Sequence, residues 1–293
     1  MPTLRDIRKR LKAIQSTKKI TAAMKMVAAA KMRKVQDRML NFRPYASRMQ
    51  LVLSDLAKVA EREIHPLLTL RPRKTVEVLV LTSDKGLCGA FNTNILRAAA
   101  NYIKSLEHEG VQLSLSVVGR KARDYFRRRN VKMRKVWIGL SGRVTYTNAQ
   151  EIASDLVENF INETYDEVVV IYNEFKTMLS QKVNIVKLLP IGAIEGEEAS
   201  KEPSMFGDYL YEPSRQVVFE RLLPKYIEIQ IYRALLESSA AEEAARMTAM
   251  ENATKNCSEL INKVTLLANK IRQASITKEL MDIVGGVEAL KEK

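Results

Sequence analysis

The chain has 293 residues, of which 46% are hydrophobic and 28% are charged, a composition typical of a globular protein and not of a disordered one. No run of about 18 apolar residues is present, so the sequence predicts no membrane-spanning helix. The formal net charge is +14, and the only cysteines, Cys88 and Cys257, argue against a disulfide framework and for a reducing compartment.

The first forty residues carry most of the net charge. They hold twelve lysines and arginines and two aspartates, a balance of +10. Apolar residues recur there and beyond at alternating steps of three and four, the seven-residue repeat of a left-handed coiled coil. Pro44 lies inside the repeat and is expected to remove one backbone hydrogen bond and bend the helix. These repeat positions, called the N-terminal seam, are Leu4, Ile7, Leu11, Ile14, Lys18, Thr21, Lys25, Ala28, Met32, Val35, Met39, Phe42, Ala46, Met49, Leu53, Leu56 and Ala60.

The middle of the chain alternates apolar strands with helices. This alternation predicts a mainly parallel sheet covered by helices, in a Rossmann-like α/β domain over residues 75–192. The last predicted helix is expected to begin at Asn148, with Glu151 completing a capping box. Strands are predicted at 75–83, 111–119, 131–139, 166–175 and 181–191.

The loop SDKGLCG (83–89) follows the first strand and is the feature most typical of an enzyme. A glycine-rich loop between a strand and a helix can bind phosphate at the helix N-terminus. Neither GxxxxGK[ST] nor GxGxxG is present, so a structural turn is favoured over a nucleotide site. Cys88 could be a nucleophile only with a base beside it, and His65 and His108 both stand in polar, surface-like contexts. Two histidines and two scattered cysteines also make a zinc site improbable.

The C-terminal part returns to the helical period. Residues 193–214 are acidic, contain Pro203 and Pro213, and are expected to form an exposed connector. A helix is predicted from Arg215, interrupted early by Pro224 and stopped by Gly285 and Gly286. Its repeat positions, the C-terminal seam, are Leu236, Ala240, Glu243, Met247, Met250, Thr254, Cys257, Ile261, Val264, Ala268 and Ile271.

The two seams are expected to pair antiparallel, as helices of about 55 and about 75 residues. The predicted domains are a coiled-coil helix at 1–60, the inserted α/β domain at 75–192, the connector at 193–214 and a second coiled-coil helix at 215–293. The fold class is therefore α/β, with a long antiparallel coiled coil of the N- and C-terminal helices. Two ordinary core helices of a bundle are the alternative.

A basic segment leading into heptads also permits a nucleic-acid-binding coiled-coil protein. Against this interpretation, apolar seam residues run through the basic segment itself, so one of its faces is already committed to a partner helix. Basic zipper regions also lack a large α/β insertion. A solvated basic face of a helical bundle is the more ordinary alternative.

Three stretches of the chain resemble the gamma subunits of F-type ATP synthases. They are IRKRLKAIQSTKKITAAMKMVAAAKMRK (7–34), LTSDKGLCGAFNTNI (81–95), and a C-terminal pair, ESSAAEEAARMTAMENAT (237–254) with NKIRQASITKELMDIVGG (269–286). The likeness extends over essentially the whole chain. Val287 departs from the alanine usual in the family, and the acidic connector lacks the cysteine-bearing insertion of chloroplast members, so thiol regulation is not implied.

The resemblance implies a non-catalytic rotor shaft without a cofactor. It would turn inside a ring of alpha and beta subunits, bind the epsilon subunit and rest on the ring of c subunits. Its place would be peripheral, on the cytoplasmic face of the bacterial plasma membrane. No nucleic acid would be bound, and the membrane would be met only through the complex. The residues matching family contacts with beta, called the catch residues, are Met24, Lys25, Arg272, Gln273 and Thr277.

Overall fold

The structure is a computed structural model that describes residues 3–59, 65–178, 180–192 and 215–291. The predicted connector at 193–214 lies outside the described residues. The chain divides into two compact units, Met1–Val27 with Met247–Lys293, and Ala28–Arg246. Both long helices contribute residues to both units, so the division falls within helices and not at their ends.

The N-terminal helix α1 runs from Leu4 to Val59, 56 residues, and continues through Pro44. The C-terminal helix α5 runs from Arg215 to Lys291, 77 residues, and continues through Pro224. The predicted stop at Gly285 and Gly286 is wrong, because α5 passes through both. Each glycine disfavours a helix by only about 1 kcal/mol, and the helical neighbours on both sides carry the structure across them.

Five strands form one sheet in the order β3-β2-β1-β4-β5. The strands are β1 (Thr75–Leu81), β2 (Gln112–Val118), β3 (Lys135–Trp137), β4 (Glu167–Phe175) and β5 (Gln181–Leu189). The pairs β1–β2, β1–β4 and β2–β3 are parallel, and β5 lies antiparallel to β4. The mainly parallel, Rossmann-like sheet is thereby confirmed.

Three helices cover the sheet, α2 (Phe91–His108), α3 (Arg120–Arg127) and α4 (Tyr146–Ile161). The predicted start of α4 is wrong: Thr145 is the N-cap, and Asn148 is its capping-box partner. Thr145 has an extended backbone, and its hydroxyl accepts from the backbone N–H of Asn148, so it caps the helix three residues before the predicted position. The predicted third strand at 131–139 is also too long, because only Lys135–Trp137 pairs with β2.

Alternating side chains of β1 divide the core between the two faces of the sheet. Val76, Val78 and Val80 pack with α2 and α3, whereas Leu79 and Leu81 pack with α4 and with buried residues of α5. The α4 face of the sheet therefore shares one hydrophobic cluster with the parts of α1 and α5 that lie in Ala28–Arg246.

The seam positions whose side chains are described are all buried or half-buried. Most neighbours of the N-terminal seam are exposed, whereas the neighbours of the C-terminal seam are buried or half-buried between 236 and 251 and mostly exposed beyond that. In the first unit the two helices are antiparallel, because Thr21 contacts Thr254 at 2.8 Å and Lys25 contacts Glu251 at 3.0 Å. In the second unit the two helices are also antiparallel, because Lys31 contacts Glu243 at 3.7 Å and the Phe42 ring lies 4.8 Å from the Tyr232 ring. The predicted antiparallel coiled coil is confirmed.

Candidate functional site

The five catch residues all lie on the paired helices of the first unit. Met24 and Lys25 are half-buried on α1, and Arg272, Gln273 and Thr277 are exposed on α5. Lys25 is not free: its ammonium contacts the Glu251 carboxylate at 3.0 Å, and this contact lowers the pKa of Glu251. An acidic partner at this position would therefore compete with an existing ion pair.

The catch residues form two separate groups. Glu251, the partner of Lys25, precedes Arg272 by 21 residues along α5. At 1.5 Å per residue this places the groups about 32 Å apart along the helix. The structure brings Met24 and Lys25 together and Arg272, Gln273 and Thr277 together, but it does not join the two sets into one site.

The C-terminal part of α5 exposes a long series of large apolar side chains. Leu266 is 70% exposed and Met281 is 67% exposed, and the others are Leu267, Ile276, Leu280, Ile283, Val284 and Val287. Single exposed apolar residues are ordinary, but a concentration of them on one part of a helix is typical of an interaction surface. This stretch follows the last buried seam residue, Val264, so α1 does not cover it in the way that it covers the seam.

The SDKGLCG loop is held as a structural turn. The Asp84 carboxylate accepts hydrogen bonds from the backbone N–H groups of Arg120, Gly139 and Ser141, at 3.1, 2.9 and 3.2 Å. Gly119, which precedes Arg120, is required for this close approach of the backbone. A Cβ there would lie 2.3 Å from the carbonyl oxygen of Thr82, and its φ of +96° is one that other residues rarely adopt. A carboxylate turned to these amides opposes phosphate, so the geometry favours the structural interpretation of the loop.

Cys88 lacks the surroundings of a nucleophile. Its sulfur receives a hydrogen bond from the Asn92 amide at 3.1 Å and lies 4.0 Å from the Ser83 hydroxyl, and neither group is a base. Burial raises the pKa of the Cys88 thiol, which keeps it protonated. A buried, protonated thiol packs as a small apolar side chain.

Within the part of the chain that the structure describes, no group of three or more metal-binding side chains of His, Cys, Asp or Glu is assembled. Over the same residues, none of the helices combines the length and the apolar character that crossing a bilayer requires.

A buried polar cluster on α5 was missed by the sequence analysis. Arg246 binds Glu242 at 2.5 Å and Glu243 at 2.8 Å, and all three residues are buried. Burial raises the pKa of Glu242, although the charge of Arg246 acts against that rise. The available signal was the occurrence of three glutamates within the stretch ESSAAEEAA (237–245), whose other residues are all small, since buried carboxylates require partners.

A protein-family model described as ATP synthase matches residues 3–290. The ATP synthase gamma chain of Pelotomaculum thermopropionicum is 47% identical over 291 residues, covering 99% of this chain and 100% of the relative. The ATP synthase gamma chain of Heliobacterium modesticaldum is 48% identical over 293 residues, with coverage of 99% and 100%. These relatives give no support to the nucleic-acid-binding alternative.

A solved structure with a similar chain is that of the central stalk and c-ring of the Tetrahymena thermophila mitochondrial ATP synthase. That chain is 31% identical with a TM-score of 0.58, and the match covers 80% of this chain and 99% of that one. The similarity therefore includes helices and sheet together, and not the α/β part alone.

Proposed function

The chain belongs to the ATP synthase gamma chain family, and from this premise we infer that it is the central rotor shaft of an F-type ATP synthase. Rotation of the membrane ring is transmitted by the shaft to the catalytic head, where it drives ATP synthesis, and ATP hydrolysis turns the shaft in reverse. The observation that carries this function is the antiparallel pairing of two long helices, found in a chain that matches gamma chains over nearly its whole length.

A shaft must resist twisting, and the seams supply that resistance. Ile7, Ala28 and Met32 are at most 4% exposed, so the helices interdigitate and cannot slide freely past each other. The domains that serve this role are proposed to be the helices at 1–60 and 215–293, the connector at 193–214 and the α/β domain at 75–192.

We assign the chain a non-catalytic role, with the nucleotide sites on its partners. The structural role of Asp84 and the protonated, buried state of Cys88 support this assignment. The alpha and beta subunits are the proposed partners of the coiled coil, and the epsilon subunit and the c ring those of the α/β domain. The complex is membrane-associated, and this chain would be peripheral, on the cytoplasmic face of the bacterial plasma membrane.

The catch residues are proposed to make the polar contacts with beta. Met24 and Lys25 would meet an acidic loop, and Arg272, Gln273 and Thr277 would donate hydrogen bonds from the exposed part of α5. The apolar surface around them suits a smooth bearing, because a turning shaft must not be trapped at one angle. Surface ion pairs of about 0.2–1 kcal/mol bias an orientation without locking it. Because the shaft is asymmetric, each beta subunit contacts a different face of it. The conformational equilibrium of that subunit shifts by the difference in contact energy between its conformations.

Reconstitution with alpha and beta subunits tests this function. We expect the three proteins to copurify as one complex with Mg-dependent ATP hydrolysis, whereas alpha and beta without this chain have little activity. A probe on an exposed position of the α/β domain should rotate in one direction when ATP is added.

The isolated chain is the matched control for the non-catalytic assignment. It should neither hydrolyse ATP nor bind nucleotide measurably. Failure to copurify with alpha and beta would refute the rotor function, and ATP turnover by the isolated chain would refute the non-catalytic assignment.

A further inference from the structure

Residues 139–146 follow β3, end at the first residue of α4 and contact both long helices. We call this segment the bracket. At its start, the Asp84 carboxylate fixes the backbone N–H groups of Gly139 at 2.9 Å and Ser141 at 3.2 Å. Asp84 also accepts from the backbone N–H of Arg120 at the start of α3, so the bracket is attached to the end of β1 and to α3.

The bracket holds α5 at two points. The Ser141 hydroxyl donates to Glu242 at 2.5 Å, and the Tyr146 hydroxyl donates to Glu228 at 2.6 Å. Both carboxylates are buried, and each has a cationic partner as well, Arg246 for Glu242 and Lys225 for Glu228. Hydrogen bonds to buried charged groups are short and are among the stronger ones in proteins.

The two points lie far enough apart to resist tilting and twisting. Glu228 and Glu242 are separated by 14 residues of α5. This separation corresponds to about 21 Å along the helix. Apolar packing already holds α5 against the sheet, and two polar attachments along the helix add resistance to pivoting and twisting that a single one would not give.

The bracket also holds α1. The Arg38 guanidinium donates to the carbonyl oxygen of Val144 at 3.0 Å. The rings continue the contact: Tyr146 lies 5.5 Å from Tyr232 of α5, and Tyr232 lies 4.8 Å from Phe42 of α1, both edge to face. One short segment therefore joins the sheet to both helices within the unit Ala28–Arg246.

We propose that the bracket is the torque coupling between the α/β domain and the helical shaft, with Asp84, Ser141 and Tyr146 as its positioning residues. This inference rests on the proposed rotor function, since only a rotor passes torque between these two parts. Force entering the sheet passes through the bracket to α5 at Glu228 and Glu242 and to α1 at Arg38. The SDKGLCG loop thereby acquires a mechanical role, because Asp84 anchors the bracket.

The test removes the two hydroxyl groups in the reconstituted complex, with Ser141→Ala and Tyr146→Phe. The complex is immobilised by its catalytic head and stopped with Mg-ADP. A thiol probe is attached at Lys104→Cys on the exposed side of α2, since Cys88 and Cys257 are buried. The measured quantity is the variance of the probe's angle about the shaft axis, which is inversely proportional to the torsional stiffness of the attachment. Loss of both polar attachments to α5 should raise this variance about twofold, while the rate of ATP hydrolysis stays close to wild type. Ser141→Ala alone should give an intermediate variance.

The control carries the same two chemical changes outside the bracket, Ser154→Ala and Tyr125→Phe. Its angular variance should equal that of the wild type, and an equal variance in the bracket variant would overturn the coupling. Amide hydrogen exchange gives a second readout: the Gly139 amide should exchange about fivefold faster in the bracket variant only. Unchanged exchange there would also count against the proposal. Loss of rotation in the wild-type complex would instead contradict the rotor function itself.

Discussion

Glu77 places a carboxylate in the middle of β1, where its side chain is fully buried. Arg134 binds its Oε1 through two nitrogens, at 3.2 and 3.1 Å, while its Oε2 has no hydrogen-bond partner among the described residues. The same guanidinium contacts Asp155 of α4 at 2.7 Å. One arginine thus compensates two carboxylates on the α4 face of the sheet, and its removal would leave a buried charge unpaired.

We expect Arg134→Met to destabilise the chain by about 3–5 kcal/mol, because Glu77 then remains buried without its partner. The double variant Arg134→Met with Glu77→Leu should regain much of that loss, since it removes both charges. Urea unfolding of the full chain, followed by far-UV circular dichroism, measures both differences. A double variant no more stable than Arg134→Met would contradict the charge-pair explanation.

The pH dependence of the free energy of unfolding tests the role of Arg134 independently. Burial acts to raise the pKa of Asp155, but hydrogen bonds from Arg134 and Lys135 outweigh it, so this pKa lies below its ordinary value. Stability from this group is present above the ordinary carboxyl pKa and is lost as the pH falls through the lowered value. Arg134→Met should therefore weaken the dependence of stability on pH in that acidic range.

At the scale of elements, α1 shows how one helix serves two environments. Ala28 occupies the seam and is 1% exposed, while Ala30, two residues on, is exposed. A small side chain in the seam allows close approach of the partner helix, and the same side chain outside the seam has no such role. Helix propensity is equal at both positions, so packing alone distinguishes them.

Ala28→Leu and Ala30→Leu form a matched pair for this distinction. Ala28→Leu should destabilise the chain by about 1–3 kcal/mol, since three added carbons must fit into a packed seam. Ala30→Leu should change stability by less than about 0.5 kcal/mol, as most surface substitutions do. Both values follow from urea unfolding of the two variants. Equal effects would show that the seam tolerates volume and is not tightly packed at Ala28.

For the whole molecule, charge and function are distributed unevenly along the chain. Residues 1–40 hold +10 of the net +14, yet three of the five catch residues lie at the other end of the sequence. Antiparallel pairing brings both chain ends into the unit Met1–Val27 with Met247–Lys293. A partner that surrounds this unit would therefore contact the basic surface of α1 and the exposed apolar side chains of α5.

The double substitution Arg272→Ala with Gln273→Ala tests the catch at this scale. We expect it to slow Mg-ATP hydrolysis by the reconstituted complex about tenfold, equivalent to about 1.4 kcal/mol of lost differential contact energy, with little loss of assembly. Steady-state ATPase assays and size-exclusion chromatography separate the two effects. The control pair Asn262→Ala with Lys263→Ala also removes two exposed polar side chains from α5. A full ATPase rate in the Arg272 and Gln273 variant would disprove the catch assignment.

The structure confirmed the expected antiparallel pairing of the helices and the mainly parallel sheet. The sequence by itself determined the two long helices, their seams and the presence of the strands. Those features follow from periodicities of three to four and of two residues, which neighbouring positions already display. Local sequence signals predicted the ends of helices less well. Gly285 and Gly286 did not end α5, and Thr145, not Asn148, capped α4. In both cases the helix boundary depended on competing local terms of about 1 kcal/mol.

Only the tertiary structure decided the strand order, the buried ion pairs and the bracket. Ser141 and Glu242 are 101 positions apart in sequence, and Arg134 and Glu77 are 57 apart. No local sequence pattern predicts contacts between residues so far apart. A buried carboxylate looks in sequence like an exposed one, because its cost appears only when the chain folds and removes the water around it. The catch residues depended on family resemblance, since their partners lie on other chains and leave no periodic mark in this one.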